Sequence, residues 1–131
     1  MPGLYDLVDS LKSAGYRIAI ASSSILDHIK MVLQGLKLED KFDVVVSGDQ
    51  VKHSKPNPEI YLTAATALGV KPEESLALED ASSGVQAAKN AGMMCIAVPN
   101  EYTRDGDFSR ADLIVSGLGD ISVNTVKTLS R

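Results

Sequence analysis

The chain has 131 residues, 44% of them hydrophobic and 23% charged, with a formal net charge of −4. That length fits one domain with a real core, and the charge balance excludes the basic patch of a nucleic-acid binder. No apolar run reaches membrane-spanning length and no charged-then-apolar leader pattern opens the chain, so neither nucleic acid nor a membrane is expected as a partner.

In chain order, Leu4, Leu7, Val8 and Leu11 form a helical apolar stripe after Pro2-Gly3, and the helix is expected to stop at Gly15. Arg17 to Ala21 reads as a short buried strand. Ser22-Ser23-Ser24 follows at once, suited to a turn and an N-cap, with a helix from Ile25 to about Leu33 and Gly35 beyond it. Phe42 to Ser47 is the next strand, closed by Gly48-Asp49. The loop Val51 to Pro58 places two prolines around Asn57, and Glu59 to Leu68 then forms a helix stopped by Gly69. After a turn at Lys71 to Glu74, Leu76 to Glu79 reads as a buried parallel strand running into the acidic pair Glu79-Asp80. Ser82, Ser83 and Gly84 suit a turn and cap before a helix from Val85 to Ala91, closed by Gly92. A strand at Met94 to Val98, a polar loop from Pro99 to Arg110, a short strand at Asp112 to Val115 and a helix from about Ser122 to Leu129 complete the chain. Cys95, the single cysteine, lies in the apolar run MCIAV and reads as a buried structural thiol; a reduced, cytoplasmic setting is expected.

Alternating strands and helices predict an α/β fold with a mostly parallel sheet and helices on both faces. In such folds ligands bind beyond the carboxyl ends of the strands. Three strand ends or their loops carry suitable residues: Ser22, Lys55 and Glu79-Asp80. Singly, each also reads as ordinary structure: a turn serine, a solvated loop lysine, two acids before a helix. Together they form a coherent anion site. Hydroxyl and backbone N–H groups at a helix N-terminus bind phosphate oxygens, a fixed lysine supplies positive charge, and adjacent carboxylates suit a hard divalent cation.

The order strand–Ser, Lys-Pro-x-Pro, strand–Glu-Asp–x–x–x–Gly resembles motifs II, III and IV of the haloacid dehalogenase superfamily, most closely the β-phosphoglucomutase-like phosphatases and mutases. The matching segments are IAIASSS, SKPNPEIY and ALEDASSGVQAAKNAGM, and the likeness covers nearly the whole chain. The resemblance implies a three-layer Rossmannoid core and a Mg²⁺-dependent phosphatase acting on a small phosphorylated metabolite, a sugar phosphate above all. It assigns Ser22 and Ser23 to phosphate binding and Lys55 to bridging nucleophile and phosphate. Asp80 becomes the metal carboxylate and Glu79 its metal-binding or supporting neighbour. Ile25-Leu26 stands where the mutases often carry a polar pair, which favours a phosphatase over a mutase.

Motif I of the family, an Asp-x-Asp that supplies the nucleophile and the general acid and base, has no counterpart here. Asp105-Gly106-Asp107 has the spelling but sits in a polar loop and reads as a turn; Asp43 opens its strand, and Asp6 and Asp9 lie on the polar face of the first helix. Residues 1–131 are therefore expected to form a core domain that resumes after the family's cap, inactive alone, with no nucleophile of its own. In the family the motif I strand lies between the strands corresponding to Arg17–Ala21 and Leu76–Glu79. These two strands are expected either to pair directly or to leave open edges, which invites marginal stability, self-association or pairing with an N-terminal segment. The alternative reading is a non-catalytic phosphate- or metal-binding module; a receiver-like signalling domain fits less well, since no isolated Asp ends a strand.

Overall fold

The computed structural model describes residues 2–129. Helix α1 (Leu4–Ser13) is followed by β1 (Ala19–Ala21), α2 (Leu26–Leu36), β2 (Val44–Val46), α3 (Glu59–Leu68), β3 (Leu76–Glu79), α4 (Ser82–Asn90), β4 (Met94–Ala97), β5 (Leu113–Ile114) and α5 (Val123–Leu129). Single 3₁₀ turns lie at Gly48–Gln50, Pro72–Glu74 and Leu118–Asp120.

All strand pairings are parallel, as a β-α alternation requires, but the strands form two sheets. β1 pairs with β2, Ala19 opposite Val44; β3 pairs with β4, Leu76 opposite Met94; and β4 pairs with β5, Ile96 opposite Leu113. β1 and β3 do not pair with each other among the described residues, so of the two expected outcomes the structure shows open edges.

Side chains alternate across the strands and build one core on each face. On one face Ala77, Cys95 and Ala97 pack with Ile60, Ala64 and Ala65 of α3 and Val85, Ala87 and Ala88 of α4. The alanines let the helices approach the sheet closely. On the other face Ile96, fully buried, meets Leu7 of α1 and Val126 of α5, while Ile20 and Val45 pack on Ile29 and Leu33 of α2. The result is a three-layer α/β core.

Several boundaries differ from the local reading for identifiable reasons. α2 runs through Gly35 to Leu36 and ends at Lys37 in the left-handed region (φ 57°). Its buried face, Ile29 and Leu33 against Leu38, outweighs the cost of about 1 kcal/mol for one helical glycine. α4 starts at Ser82, so Ser82, Ser83 and Gly84 are its first turn and not a preceding cap. The ladder of β1 begins only at Ala19, because the Ile18 N–H is taken by the Asp43 carboxylate (2.8 Å) and Arg17 reaches the Leu68 carbonyl (2.6 Å). That bond, with the Lys12 ammonium, holds the exposed Asp43 carboxyl below its usual range and gives it a structural role at the far end of the sheet.

Candidate active site

The lip formed by the carboxyl ends of β1 and β3 is built from the bottom by the loop before α3. Glu59, in the first turn of α3, accepts the N–H groups of Lys52 (3.0 Å) and His53 (2.9 Å), and these bonds draw its carboxyl below the usual range. The Asn57 side chain accepts the Glu59 N–H (2.9 Å), and the Lys55–Pro56 peptide is cis. A loop held at both ends presents Lys55 in one place.

The Lys55 ammonium lies between the two sheets. It donates to the Ala21 carbonyl at the end of β1 (3.2 Å) and pairs with Glu79 Oε2 at the end of β3 (2.6 Å). It also stands 5.1 Å from the centre of the Tyr61 ring, within cation–π range. The Tyr61 hydroxyl donates to the same Glu79 oxygen. Burial first, then the Glu79 charge, pushes the Tyr61 hydroxyl above its ordinary value and keeps it a neutral donor. The Glu79 carboxylate rests on α4 where only a glycine fits, since a Cβ at Gly84 would overlap it. Two of the three ammonium hydrogens of Lys55 are thus engaged, and the third is available to an anion.

Ser22 follows the carbonyl that Lys55 holds. Its hydroxyl oxygen accepts the Ser24 N–H (3.2 Å), which leaves its O–H free to donate outward. The Ser22–Ser24 segment does not cap α2. Instead Asp49, from the turn after β2, accepts the Leu26 N–H (3.2 Å), and its own carboxyl is lowered first by the Ser47 hydroxyl. The two loops lie so close that a Cβ at Gly48 would overlap the Ser23 carbonyl, and the Gly48 N–H bonds the Ser24 carbonyl (2.8 Å). Ser23 itself is exposed.

Glu79 and Asp80 go opposite ways. Glu79 turns inward onto Lys55 and Tyr61, whereas Asp80 is exposed and accepts a hydrogen bond from the Asn100 amide (3.3 Å). Among the described residues no three His, Cys, Asp or Glu side chains converge as a closed metal cage. The donor set nonetheless fits Mg²⁺, which keeps several waters and takes one or two carboxylates plus substrate oxygens. Sequence reasoning passed over Tyr61, Asn100 and Asp49. Each acts through a partner 18 to 23 positions away in the chain, and nothing local signals that. Asp105-Gly106-Asp107 lies in a turn region, the Asp107 carboxylate accepting the Ser109 N–H (2.9 Å), and His28 and His53 are exposed. Cys95 is fully buried, and burial raises its thiol to about 12.

A family model described as haloacid dehalogenase-like hydrolase matches residues 1–98. Protein CbbY of Cereibacter sphaeroides is 38% identical over 123 residues, covering 92% of this chain and 54% of that protein. Hexitol phosphatase B of Escherichia coli strain K12 is 37% identical over 123 residues, with 93% and 55% covered. Among solved structures, CbbY from Rhodobacter sphaeroides in complex with phosphate superposes with a TM-score of 0.87 at 38% identity, over 91% of this chain and 54% of that one. β-Phosphoglucomutase from Clostridium difficile gives 0.87 at 30% identity, over 99% and 56%. The chain spans about half the length of the curated relatives it matches.

Proposed function

The chain belongs to the haloacid dehalogenase-like hydrolase family, and from that premise we propose that it forms the phosphate- and metal-handling part of a Mg²⁺-dependent phosphatase. The substrate class is a small phosphorylated metabolite, a sugar phosphate by analogy with the hexitol phosphatase relative. In this reading residues 1–131 are the post-cap portion of the family's core domain. The attacking carboxylate comes from outside these residues and forms an aspartyl phosphate, the phosphoryl group moving from the ester oxygen to the carboxylate oxygen before water releases it.

Phosphoryl transfer spreads negative charge over three equatorial oxygens, so a protein accelerates it chiefly by positioning and charge neutralisation. The observation that carries the proposal is the Lys55 ammonium fixed between Ala21 and Glu79 with one donor unspent. Lys55 offers that donor to a phosphoryl oxygen, the Ser22 hydroxyl offers a second, and the Ser23 backbone N–H a third. Asp80 holds the metal, and Glu79 keeps Lys55 in place. Mg²⁺, when bound, neutralises phosphoryl charge at this lip.

The test is titration of the chain with inorganic phosphate in the presence of Mg²⁺, beside an aryl phosphate turnover assay. Phosphate should bind in a way that Lys55→Met abolishes, and turnover should be absent. Turnover lost in Asp80→Asn would place a nucleophile within these residues and overturn the proposal; phosphate binding unchanged by Lys55→Met would remove the site.

A further inference from the structure

Beyond the last paired residues of β1 and β2 the two chains stay tied. The Ser22 N–H bonds the Val46 carbonyl (3.0 Å), the Gly48 N–H bonds the Ser24 carbonyl (2.8 Å), and Asp49 Oδ1 accepts the Leu26 N–H (3.2 Å). These ties fall at alternate positions, on residues 22, 24 and 26, and so span the loop between β1 and α2. A further bond lies inside the loop, from the Ser24 N–H to the Ser22 hydroxyl oxygen (3.2 Å).

The turn that makes the ties is itself held. Ser47 is fully buried; its hydroxyl donates to Asp49 Oδ1, and its N–H donates to Gln50 Oε1 (2.7 Å). At Gly48 the turn comes so close that a Cβ would overlap the Ser23 carbonyl oxygen. Ile25 stands at the N-cap of α2 and has no acceptor to offer, so the capping carboxylate is brought from this neighbouring turn.

We propose that the turn Ser47–Gln50 latches the β1–α2 loop in its anion-binding form, with Asp49 as a positioning residue that acts on Ser22 through the Leu26 N–H. The inference rests on the proposed function for the identity of the anion, a phosphoryl group. Asp49 serves here as an acceptor and not as a charge, because a carboxylate close to an anion site repels the anion. Without the tie the loop samples other forms, and phosphate affinity falls in proportion to the fraction left competent.

The test titrates the chain with inorganic phosphate in the presence of Mg²⁺, by calorimetry, and follows amide exchange at Ser24, whose own bond no variant removes. Asp49→Ala should weaken phosphate binding about fivefold, on the scale of one lost helix cap. Asp49→Asn keeps the acceptor and should restore binding to within about twofold. Leu26→Pro deletes the donor from the other side. Proline suits the first position of a helix, and Ile25 already has the extended backbone (φ −71°, ψ 154°) that a following proline demands. This variant should weaken binding as much as Asp49→Ala, and the double variant no more than either. Ser24 exchange should quicken in both single variants. Unchanged phosphate affinity in Asp49→Ala, beside a lowered urea midpoint, would leave Asp49 a helix cap alone and overturn the latch. Losses that multiply in the double variant would overturn it too, as would Asp49→Asn binding as weakly as Asp49→Ala, since Asp49 would then act otherwise than through that bond. If the parent chain bound no phosphate, the catalytic reading would fall and Ser24 exchange would decide the latch: quickened in Asp49→Ala it stands, unchanged it is overturned.

Discussion

The pair formed by Lys55 and Glu79 gives a quantitative test of how the lip is built. Their side chains are 12% and 8% exposed and 2.6 Å apart, so each charge depends on the other for most of its solvation. Breaking such a buried pair by removing one partner costs about 3–5 kcal/mol, because the remaining charge is left in a poorly solvated site. Glu79→Gln preserves shape and an acceptor for Tyr61 but leaves the ammonium facing a neutral amide; Lys55→Met leaves the carboxylate with the Tyr61 hydroxyl alone. Residual exposure puts each single change toward the lower end, about 3 kcal/mol. The double variant Lys55→Met/Glu79→Gln buries no charge there and should cost less than either single change. The coupling then exceeds about 3 kcal/mol, at or beyond the upper end of what neighbouring residues show. Urea unfolding at neutral pH, followed by circular dichroism, measures all four corners of the cycle, with an unchanged slope confirming that only stability moved. Single changes that add within about 0.5 kcal/mol would mean that the two charges do not share a buried site.

Gly84 supplies a prediction of sign. Replacing a helical glycine by alanine ordinarily stabilises by about 1 kcal/mol, but at Gly84 the added methyl would overlap the Glu79 carboxylate. Gly84→Ala should therefore destabilise by about 1–3 kcal/mol, as overpacking does, with a lowered urea midpoint; a raised midpoint would refute the close contact. The second prediction concerns acid. Asp112 Oδ2 accepts both Lys89 Nζ and the Cys95 N–H at 2.8 Å, tying α4 to β4. Burial opposes ionisation there, but the Lys89 bond and the backbone bond outweigh it and hold the carboxyl below its usual value. A folded carboxyl below its unfolded value of about 3.9 contributes stability that is fully present above that pH and lost as pH falls through the folded value. Asp112→Asn should thus be less stable than the parent at pH 7 and lose less stability on acidification to pH 3, about one unit below that reference; equal losses would remove the linkage.

Much of the fold was legible locally. Glu59–Leu68 and Leu76–Glu79 fall where their apolar spacing and flanking breakers put them, since a helix stopped by Gly69 (φ 76°) and a strand ending in two acids are written within a few residues. Ser22, Lys55 and Asp80 reach one lip of the sheet because parallel strands joined by helices bring all their carboxyl ends to the same side. Family membership was carried by the same short segments.

What the sequence alone determined, then, was which residues arrive at the lip and on which type of element, because periodicity, caps and turns are short-range properties. Tertiary structure alone decided their division of labour. Which of two adjacent carboxylates turns inward depends on what lies beneath the strand, and here Gly84 leaves the space and Lys55 and Tyr61 supply the partners for Glu79, so Asp80 faces outward. The same holds for the open edges of β1 and β3: a strand edge is open or closed according to a neighbour that can come from anywhere in the chain or beyond it, and no local pattern encodes that.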